Sequence, residues 1–212
     1  MQLMTMNFIS LFYRLAVLSF FAFQAAFSAG ALEPSSVVDK LHLSLLETMK
    51  KADQLGYSGR YRNLDPVVRS VFDFPSIAQI VVGRYWKDFS EGQRTSFVET
   101  FTKLSVATYA SRFDDYSNEE FRQVAEDKLK EERVLIKTEL KKSNGEVVQL
   151  NYVLQPKGNQ WKIVNVIANG VSDLSLKRAD YTAVLRDKGY DALMAMLNEK
   201  IAHYTKPGGN QT

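Results

Sequence analysis

The chain has 212 residues, a formal net charge of +3 and no cysteine, and these values exclude several kinds of protein. Without cysteine there is no disulfide framework, no thiolate metal site, no cysteine nucleophile and no acylated lipoprotein N-terminus. The small net charge argues against binding to nucleic acid or to a strongly anionic membrane surface. The length suits one domain with a substantial core better than two.

The N-terminal region is typical of a secretory signal peptide. An apolar run, LAVLSFFAF at 15–23, is followed by small residues, and Ala29-Gly30-Ala31 fits the small-x-small cleavage pattern. The alternative is an uncleaved membrane anchor, which is disfavoured because the run is well below the ~20 residues that span a bilayer. We therefore expect a signal peptide over 1–31, one domain over 32–205 and a disordered tail over 206–212.

Helical periodicity dominates the first half of the predicted domain. A first helix opens at Pro34-Ser35-Ser36, and we expect the glycines of Gly56-Tyr57-Ser58-Gly59 to end it. Shorter helices are predicted over 63–71, with Pro66 in its first turn, and over 76–82.

A longer helix follows, running to about Phe113. Ser90 and Gln93 have the spacing of a capping box at its start. Its apolar residues cover about half of the helix circumference, which is wider than the usual core-facing arc. This width predicts contact with both the sheet and another helix.

Strand-type alternation then predicts four consecutive strands, at 121–126, 134–140, 148–155 and 161–167. Turn residues separate them, so the strands form an antiparallel meander with one apolar face. Two helices close the chain, one from Ser172 or Ser175 to a stop at Lys188-Gly189 and an amphipathic one after it. The predicted fold is α+β, a four-stranded antiparallel meander covered on one face by helices.

No arrangement typical of a catalytic or metal site is evident. His42 and His203 lie on predicted helices near opposite ends of the chain, and neither is accompanied by the serine and acid of a triad. Asp114-Asp115 and Glu119-Glu120 lack the spaced loop of a calcium site, and there is no glycine-rich phosphate loop. We expect no enzyme activity, no metal and no cofactor.

Large apolar side chains are plentiful on elements that face each other, since aromatic residues make up 12% of the chain. They could pack into a solid core, or the helices and the sheet could enclose a cavity for an apolar ligand. Periodicity does not separate these two interpretations.

Two stretches carry recognisable motifs. The first, residues 72–113, contains a Gly–x–x–Trp step, a Gln–x–x–x–Phe and a closing Tyr-Ala, which are Gly83 and Trp86, Gln93 and Phe97, and Tyr109 and Ala110. The second is WKIVNVIANGVS (161–172) followed by RDKGYDAL (186–193). Together they resemble the signature of the toluene-tolerance (Mla-type) family of periplasmic lipid-binding proteins. Asn165 stands where many members have Asp, which looks more like the branch associated with hopanoid biosynthesis and transport.

The resemblance implies a periplasmic soluble carrier of NTF2-like or cystatin-like appearance that holds the tails of a phospholipid or hopanoid. It also implies shuttling between an inner-membrane lipid transporter and an outer-membrane donor or acceptor complex, as an auxiliary component of an ABC transporter. Contacts with those membrane proteins would be transient, and no nucleic-acid partner is expected. A two-tailed lipid has about 30 methylenes at roughly 0.8 kcal/mol each, so exposing them to water would cost on the order of 20–25 kcal/mol.

The implied cavity lining is a set of apolar residues from the long helix, the last two strands and the last helix. The candidates are Phe97, Phe101, Leu104, Leu150, Tyr152, Leu154, Trp161, Ile163 and Leu197. Each of them alone fits a structural core at least as well, and Trp161 is equally a candidate strand anchor. Arg84 and Lys87, beside Trp86, fit either an anionic head group or an ordinary surface pair.

Two other classes of function remain open on the sequence. A protein-binding adaptor would have a filled core and an exposed apolar groove. An NTF2-like enzyme would place an acid–base pair inside the cavity, and a buried His or Asp there with a strongly shifted pKa would favour it.

Overall fold

The computed structural model describes residues 33–205, so the signal peptide predicted over 1–31 and the tail predicted over 206–212 lie outside the described residues. The helices are α1 (Pro34–Met49), α2 (Ala52–Val71), α3 (Phe74–Val82), a short 3₁₀ helix (Gly83–Lys87), α4 (Glu91–Arg112) and α5 (Asp173–Tyr204). The strands are β1 (Glu120–Lys128), β2 (Val134–Lys141), β3 (Val147–Lys157), β4 (Gln160–Ala168) and β5 (Val171–Ser172). Among these residues no helix is both long enough and apolar enough to span a bilayer.

The strands form one antiparallel sheet in the order β1-β2-β3-β4-β5. The four predicted strands are confirmed, because hydrophobic alternation matches the pleat: Val134, Ile136, Thr138 and Leu140 of β2 are all buried beneath the helices. The opposite face is partly exposed, and β1 is exposed along most of its length. The α+β fold with helices over one face is therefore observed.

The prediction of a four-stranded sheet is wrong by one short strand. Asn169 and Gly170 both adopt positive φ angles, 48° and 81°, which is the backbone of a tight two-residue hairpin. This turn folds Val171 back onto Ala168, and Ser172 onto Ile167. Two residues are too few to show an alternating pattern, so periodicity could not reveal β5.

The boundary between the first helices also differs from the prediction. The first helix ends at Met49, and α2 begins at Ala52 and passes through the glycines that were expected to end α1. Gly56 leaves helical geometry (φ 55°, ψ −178°), but the helix resumes after it and continues through Pro66. The helix 63–71 is therefore the second half of α2.

The final helix is interrupted where the sequence predicts. Gly189 has φ 79° and ψ −174°, and it divides α5 into two halves without an intervening loop. At its start Ser172 caps the helix, accepting a hydrogen bond from the Ser175 amide at 3.1 Å. The predicted capping box of α4 is likewise confirmed: the Ser90 hydroxyl accepts from the Gln93 amide at 3.2 Å, and the Gln93 side chain accepts from the Ser90 amide at 2.9 Å.

A group of residues that we call the frame cluster joins the 3₁₀ helix, the start of α4 and the second half of α5. Its members are Trp86, Phe89, Gln93, Phe97 and Tyr190. The Phe89 ring lies edge-on to Tyr190 and Phe97, with centroid distances of 4.9 and 6.0 Å, and packs against Trp86 at 6.3 Å. The Tyr190 hydroxyl donates to the Gln93 carbonyl at 2.9 Å. Motif residues from both stretches thus fix three elements together.

Charged side chains of α2 hold this helix to α4. Arg60 is buried, and its Nε donates to the Ala110 carbonyl at 2.8 Å. Arg69 makes a bidentate pair with Glu99, both N–O distances being 3.0 Å. At the end of α2 the chain meets the sheet, where the Asp73 amide donates to the Ile163 carbonyl at 3.0 Å. The first two contacts join α2 to α4, and the third joins the end of α2 to β4.

Candidate functional site

A cavity of about 530 Å³ lies between the inner face of the sheet and the helices. Its volume is within the range typical of small-molecule sites, about 300–1,000 Å³. The apolar wall comes from the link between α2 and α3, from the start of α3, from α4, from β2 to β4 and from the start of α5. These residues are Phe72, Phe74, Ile77, Phe101, Tyr109, Phe113, Leu140, Val148, Leu150, Tyr152, Val164, Val166, Ala168 and Leu174.

Local periodicity explains how these side chains converge. On α4, Phe101, Ser105, Tyr109 and Phe113 are four residues apart and so share one face of the helix. On β3, alternation directs Val148, Leu150 and Tyr152 to one face. Their neighbours on β4 complete the wall, since Leu150 pairs with Ala168 and Tyr152 with Val166.

The structure places Phe101, Leu150 and Tyr152, of the predicted lining, in the cavity wall. The other candidates lie elsewhere: Phe97, Leu104, Leu154, Ile163 and Leu197 are buried in the core, and Trp161 is half-buried against it.

The reason is position along the elements. The cavity lies beside the first half of β3, whereas Leu154, Trp161 and Ile163 are beyond the register shift at Val153/Leu154. Phe97 belongs to the frame cluster one turn before Phe101, and Leu197 follows the break at Gly189.

Several lining residues were not predicted. Phe72 and Phe74 lie between the predicted helices 63–71 and 76–82, and Leu174 follows a turn, so none of the three belongs to a long periodic stripe. Tyr109 and Phe113 extend the spacing of four from Phe101, and this is the sequence signal that could have identified them.

One end of the cavity reaches solvent and is charged. Val171 and Leu176 line it while remaining 51% and 55% exposed. Arg112, Lys142 and Lys177 also line this end; Lys177 pairs with Asp173 at 2.5 Å, and Lys142 pairs with Glu146 at 3.0 Å. We call this end the mouth.

Asn165 lies in the wall close to the mouth. Its Oδ1 accepts hydrogen bonds from the Leu174 amide at 3.3 Å and from the Ser172 hydroxyl at 3.1 Å. The side-chain oxygen is thereby satisfied by the turn into α5, and these bonds join the first turn of α5 to β4.

A buried histidine lies behind the wall. His42 is 6% exposed; its Nε2 is 3.0 Å from the Tyr152 hydroxyl, and its ring stacks on Phe121 at a centroid distance of 3.9 Å. Burial lowers the pKa of His42 to about 4 and raises the pKa of Tyr152. The imidazole is therefore neutral at pH 7. His42 does not itself line the cavity, and it contacts the wall from behind through the hydroxyl of Tyr152.

Within residues 33–205 no three histidine or carboxylate side chains converge as metal ligands. The described residues therefore offer a cavity with an apolar wall and a charged mouth. This arrangement suits an amphiphile whose apolar part enters and whose polar part stays at the surface.

Comparison with known proteins points in one direction. The family model described as MlaC protein matches residues 39–199. The chain is similar to the intermembrane phospholipid transport system binding protein MlaC of Haemophilus influenzae, with 29% identity over 126 residues, 58% of this chain and 59% of that protein. The toluene tolerance protein ttg2D of Pseudomonas putida is 25% identical over 172 residues, 77% of this chain and 78% of that protein. The first of these alignments thus spans about three-fifths of that relative.

A solved structure has the same fold. It is the phospholipid-binding protein from Ralstonia solanacearum, determined in complex with a phospholipid. The TM-score is 0.72 at 21% sequence identity, covering 81% of this chain and 98% of that one.

Proposed function

Because the chain belongs to the MlaC protein family, we propose that it is a periplasmic carrier which holds the apolar tails of a phospholipid in the cavity. The observation that supports this proposal best is the cavity of about 530 Å³, with its apolar wall and a mouth that carries charged side chains. The named relatives, an intermembrane phospholipid transport protein and a toluene tolerance protein, support the same function.

The energetics of such a carrier follow from the wall. Each methylene moved from water into apolar surroundings contributes about 0.8 kcal/mol, so tails are strongly retained against release into water. Transfer between a bilayer and the cavity exchanges one apolar environment for another, and its free energy is close to zero. The carrier can therefore load at one membrane and release at another.

The cargo is proposed to be a phospholipid in preference to a hopanoid. The departure from the family pattern at Asn165 suggested the hopanoid branch, but the Oδ1 of this residue accepts two hydrogen bonds from the turn into α5. A carboxylate could accept the same two bonds, so this departure does not indicate a cavity of different shape.

Partners and compartment are proposed on the same grounds. A signal peptide over residues 1–31 would deliver the domain to the periplasm. There it would exchange lipid with an inner-membrane transporter and an outer-membrane complex, through transient contacts that leave the mouth accessible.

The test is mass spectrometry of lipid extracted from protein purified without detergent. We expect phospholipid with the wild type and none with Leu150→Arg or Phe101→Asp, because each puts a charge into the apolar wall. Leu43→Arg is the matched control, since Leu43 lies on α1, 61% exposed and outside the cavity.

Circular dichroism must first show that each variant is folded. Wild-type amounts of lipid on both folded cavity variants would overturn the proposed site. Absence of any lipid from the wild type would favour an adaptor, and a hopanoid in place of phospholipid would correct the cargo.

A further inference from the structure

A second pocket, of about 280 Å³, lies on the surface formed by the 3₁₀ helix and the first half of α5. Its lining consists of Gly83, Arg84, Tyr85, Arg178, Thr182 and Arg186, and we call it the arginine pocket. It shares no residue with the cavity, and no carboxylate lines it. Three guanidinium groups therefore surround one small concave site.

The backbone brings these arginines together. Arg178, Thr182 and Arg186 are four residues apart and lie on one face of α5. Opposite them Gly83 ends α3 with φ 56°, and a Cβ at this position would lie 3.3 Å from an Arg178 terminal nitrogen. The missing side chain leaves room for the Arg178 guanidinium to lie against the 3₁₀ helix.

The third arginine is oriented by its neighbour. The Arg84 guanidinium lies over the Tyr85 ring, 5.0 Å from its centroid, and donates to the Tyr85 hydroxyl at 3.1 Å. This hydrogen bond raises the pKa of Arg84, the carboxylate of Asp88 adds to the rise, and the nearby charge of Arg186 opposes it. The two guanidinium groups are thus close enough to influence each other.

Neutralisation of this charge within the described chain is incomplete. Arg186 pairs with Asp187 at 2.7 and 3.0 Å, so its charge is offset by a neighbouring carboxylate. Within residues 33–205 neither Arg84 nor Arg178 forms a salt bridge. Concentrated positive charge in a concave site attracts anions.

We propose that the arginine pocket binds a phosphate group. The planar fork of a guanidinium presents paired N–H donors that match two phosphate oxygens. Among the described residues, Arg84 and Arg178 line the pocket without a carboxylate partner, and Arg186, whose Nε and Nη2 are paired with Asp187, adds a third guanidinium to the lining. The Tyr85 hydroxyl accepts from Arg84, so its own proton is free to donate to a bound oxygen. The phosphate can be free in solution or can belong to the head group of a membrane lipid.

If the phosphate belongs to a membrane lipid, the position of the arginine pocket on α5 has a further consequence. Leu174 lines the cavity, and Arg178 follows one turn later on the same helix, about 6 Å along its axis. A membrane lipid held there would bring the mouth close to the bilayer surface. This consequence depends on the proposed carrier function, whereas phosphate binding itself does not.

The first experiment titrates the purified protein with inorganic phosphate at constant ionic strength, following the arginine side-chain signals by NMR. We expect saturable shifts of Arg84, Arg178 and Arg186, and at least tenfold weaker binding in the triple variant R84Q/R178Q/R186Q. The matched control R62Q/R122Q/R133Q removes the same charge elsewhere and should bind phosphate as the wild type does.

The second experiment measures co-flotation with vesicles of phosphatidylglycerol or of phosphatidylcholine. Binding that is lost in the pocket variant but kept in the control variant supports the site. Such a loss with inorganic phosphate indicates free phosphate as a ligand, and such a loss with vesicles indicates a lipid head group. Equal losses in both triple variants, or no binding of either probe by the wild type, would overturn the site. Leu150→Arg should lose cavity lipid but keep phosphate binding, which separates failure of this site from failure of the carrier.

Discussion

Two buried polar residues show how burial acts differently on a side chain that has a counter-charge and on one that has none. The Asp73 carboxylate accepts from the Ser76 hydroxyl at 2.7 Å, from Gln155 at 3.1 Å and from Lys157 at 2.5 Å. Burial by itself raises the pKa of Asp73, but the hydrogen bonds from Lys157 and Ser76 outweigh it and hold the pKa below its ordinary value. His42 has no such compensation, and its pKa falls to about 4.

The His42 shift predicts a pH-dependent stability. The unfolded chain takes up a proton at this residue below the ordinary pKa of 6.5, whereas the folded protein does so only near 4. Protonation of His42 therefore does not affect the free energy of unfolding above pH 6.5. As the pH is lowered from 6.5 towards 4, protonation decreases the free energy of unfolding by about 3 kcal/mol in total. Urea denaturation at a series of pH values between 7 and 4.5 measures it.

His42→Gln is the control for this pH dependence, because glutamine can still hydrogen-bond to Tyr152 but does not titrate. Its unfolding free energy should vary less over the same range than that of the wild type. Identical slopes for the two proteins would contradict the assignment. Asp73 does not contribute to the pH dependence in this range. Because its pKa is lowered, its stabilising contribution is lost only around and below pH 3.8, the ordinary pKa of aspartate.

At the scale of elements, glycines in unusual backbone conformations divide two of the helices. Gly56 in α2 and Gly189 in α5 have φ angles of 55° and 79° with ψ near 180°, a region that residues with a Cβ almost never occupy. A Cβ added at either glycine would meet no atom within 4 Å. Any loss of stability when either glycine is replaced must therefore come from strain in the backbone conformation.

Gly189→Ala is expected to destabilise the protein by about 1–3 kcal/mol through backbone strain. Gly92→Ala is the matched comparison: Gly92 also has open space around it, but it lies in the first turn of α4 and has no positive φ. We expect this second change to stabilise by about 0.4–1 kcal/mol, because alanine lowers the entropy of the unfolded chain.

Urea denaturation of both alanine variants distinguishes these effects. Changes of the same sign at the two glycines would show that the conformation at Gly189 does not constrain the residue type.

How far the sequence predicts these elements depends on the length of each pattern. Long alternating runs such as Val134–Leu140 predict their strands correctly, and Gly189 predicts the break in α5. The boundary at Lys50-Lys51 was missed because neither residue is a glycine or proline, while the glycines of α2 suggested a break in the wrong place. Local signals identify special backbone positions but do not say whether a helix resumes after them.

The cavity lining was harder to predict than the elements that form it. Phe97 and Phe101 are one turn apart on the same helix, yet Phe97 packs in the core and Phe101 also reaches the cavity. Hydrophobic spacing identifies the buried face of α4 but not the point along it where the sheet and the helices separate. Contacts between elements, such as Arg60 with Ala110 and Asp73 with Ile163, position the helices and the sheet, and the periodicity of α4 does not encode them.

For the whole molecule, an apolar cavity in a chain without disulfides makes stability depend on whether the cavity is filled, and the proposed carrier function therefore predicts that lipid stabilises the fold. Unoccupied apolar space lacks the dispersion contacts that a packed core or a bound tail supplies. A ligand that binds the folded state alone stabilises it by about 2.7 kcal/mol at a concentration of a hundred times Kd.

Removal of lipid should therefore lower the melting temperature. For a domain of this size we expect a decrease of about 5–10 °C, which reloading with phospholipid should reverse. Differential scanning calorimetry before and after extraction measures the change. The Leu150→Arg variant should melt at the same temperature before and after the treatment, and an unchanged wild type would argue against occupancy of the cavity.

The frame cluster has a consequence for how such proteins are classified. Trp86, Gln93, Phe97 and Tyr190 are among the residues by which a newly sequenced homologue would be recognised, yet none of them lines the cavity. A search based on those residues groups homologues by scaffold and does not define the ligand of the cavity. If the proposed carrier function holds, homologues should instead be grouped by the side chains that stand at Phe101, Leu150 and Val166, which line the cavity.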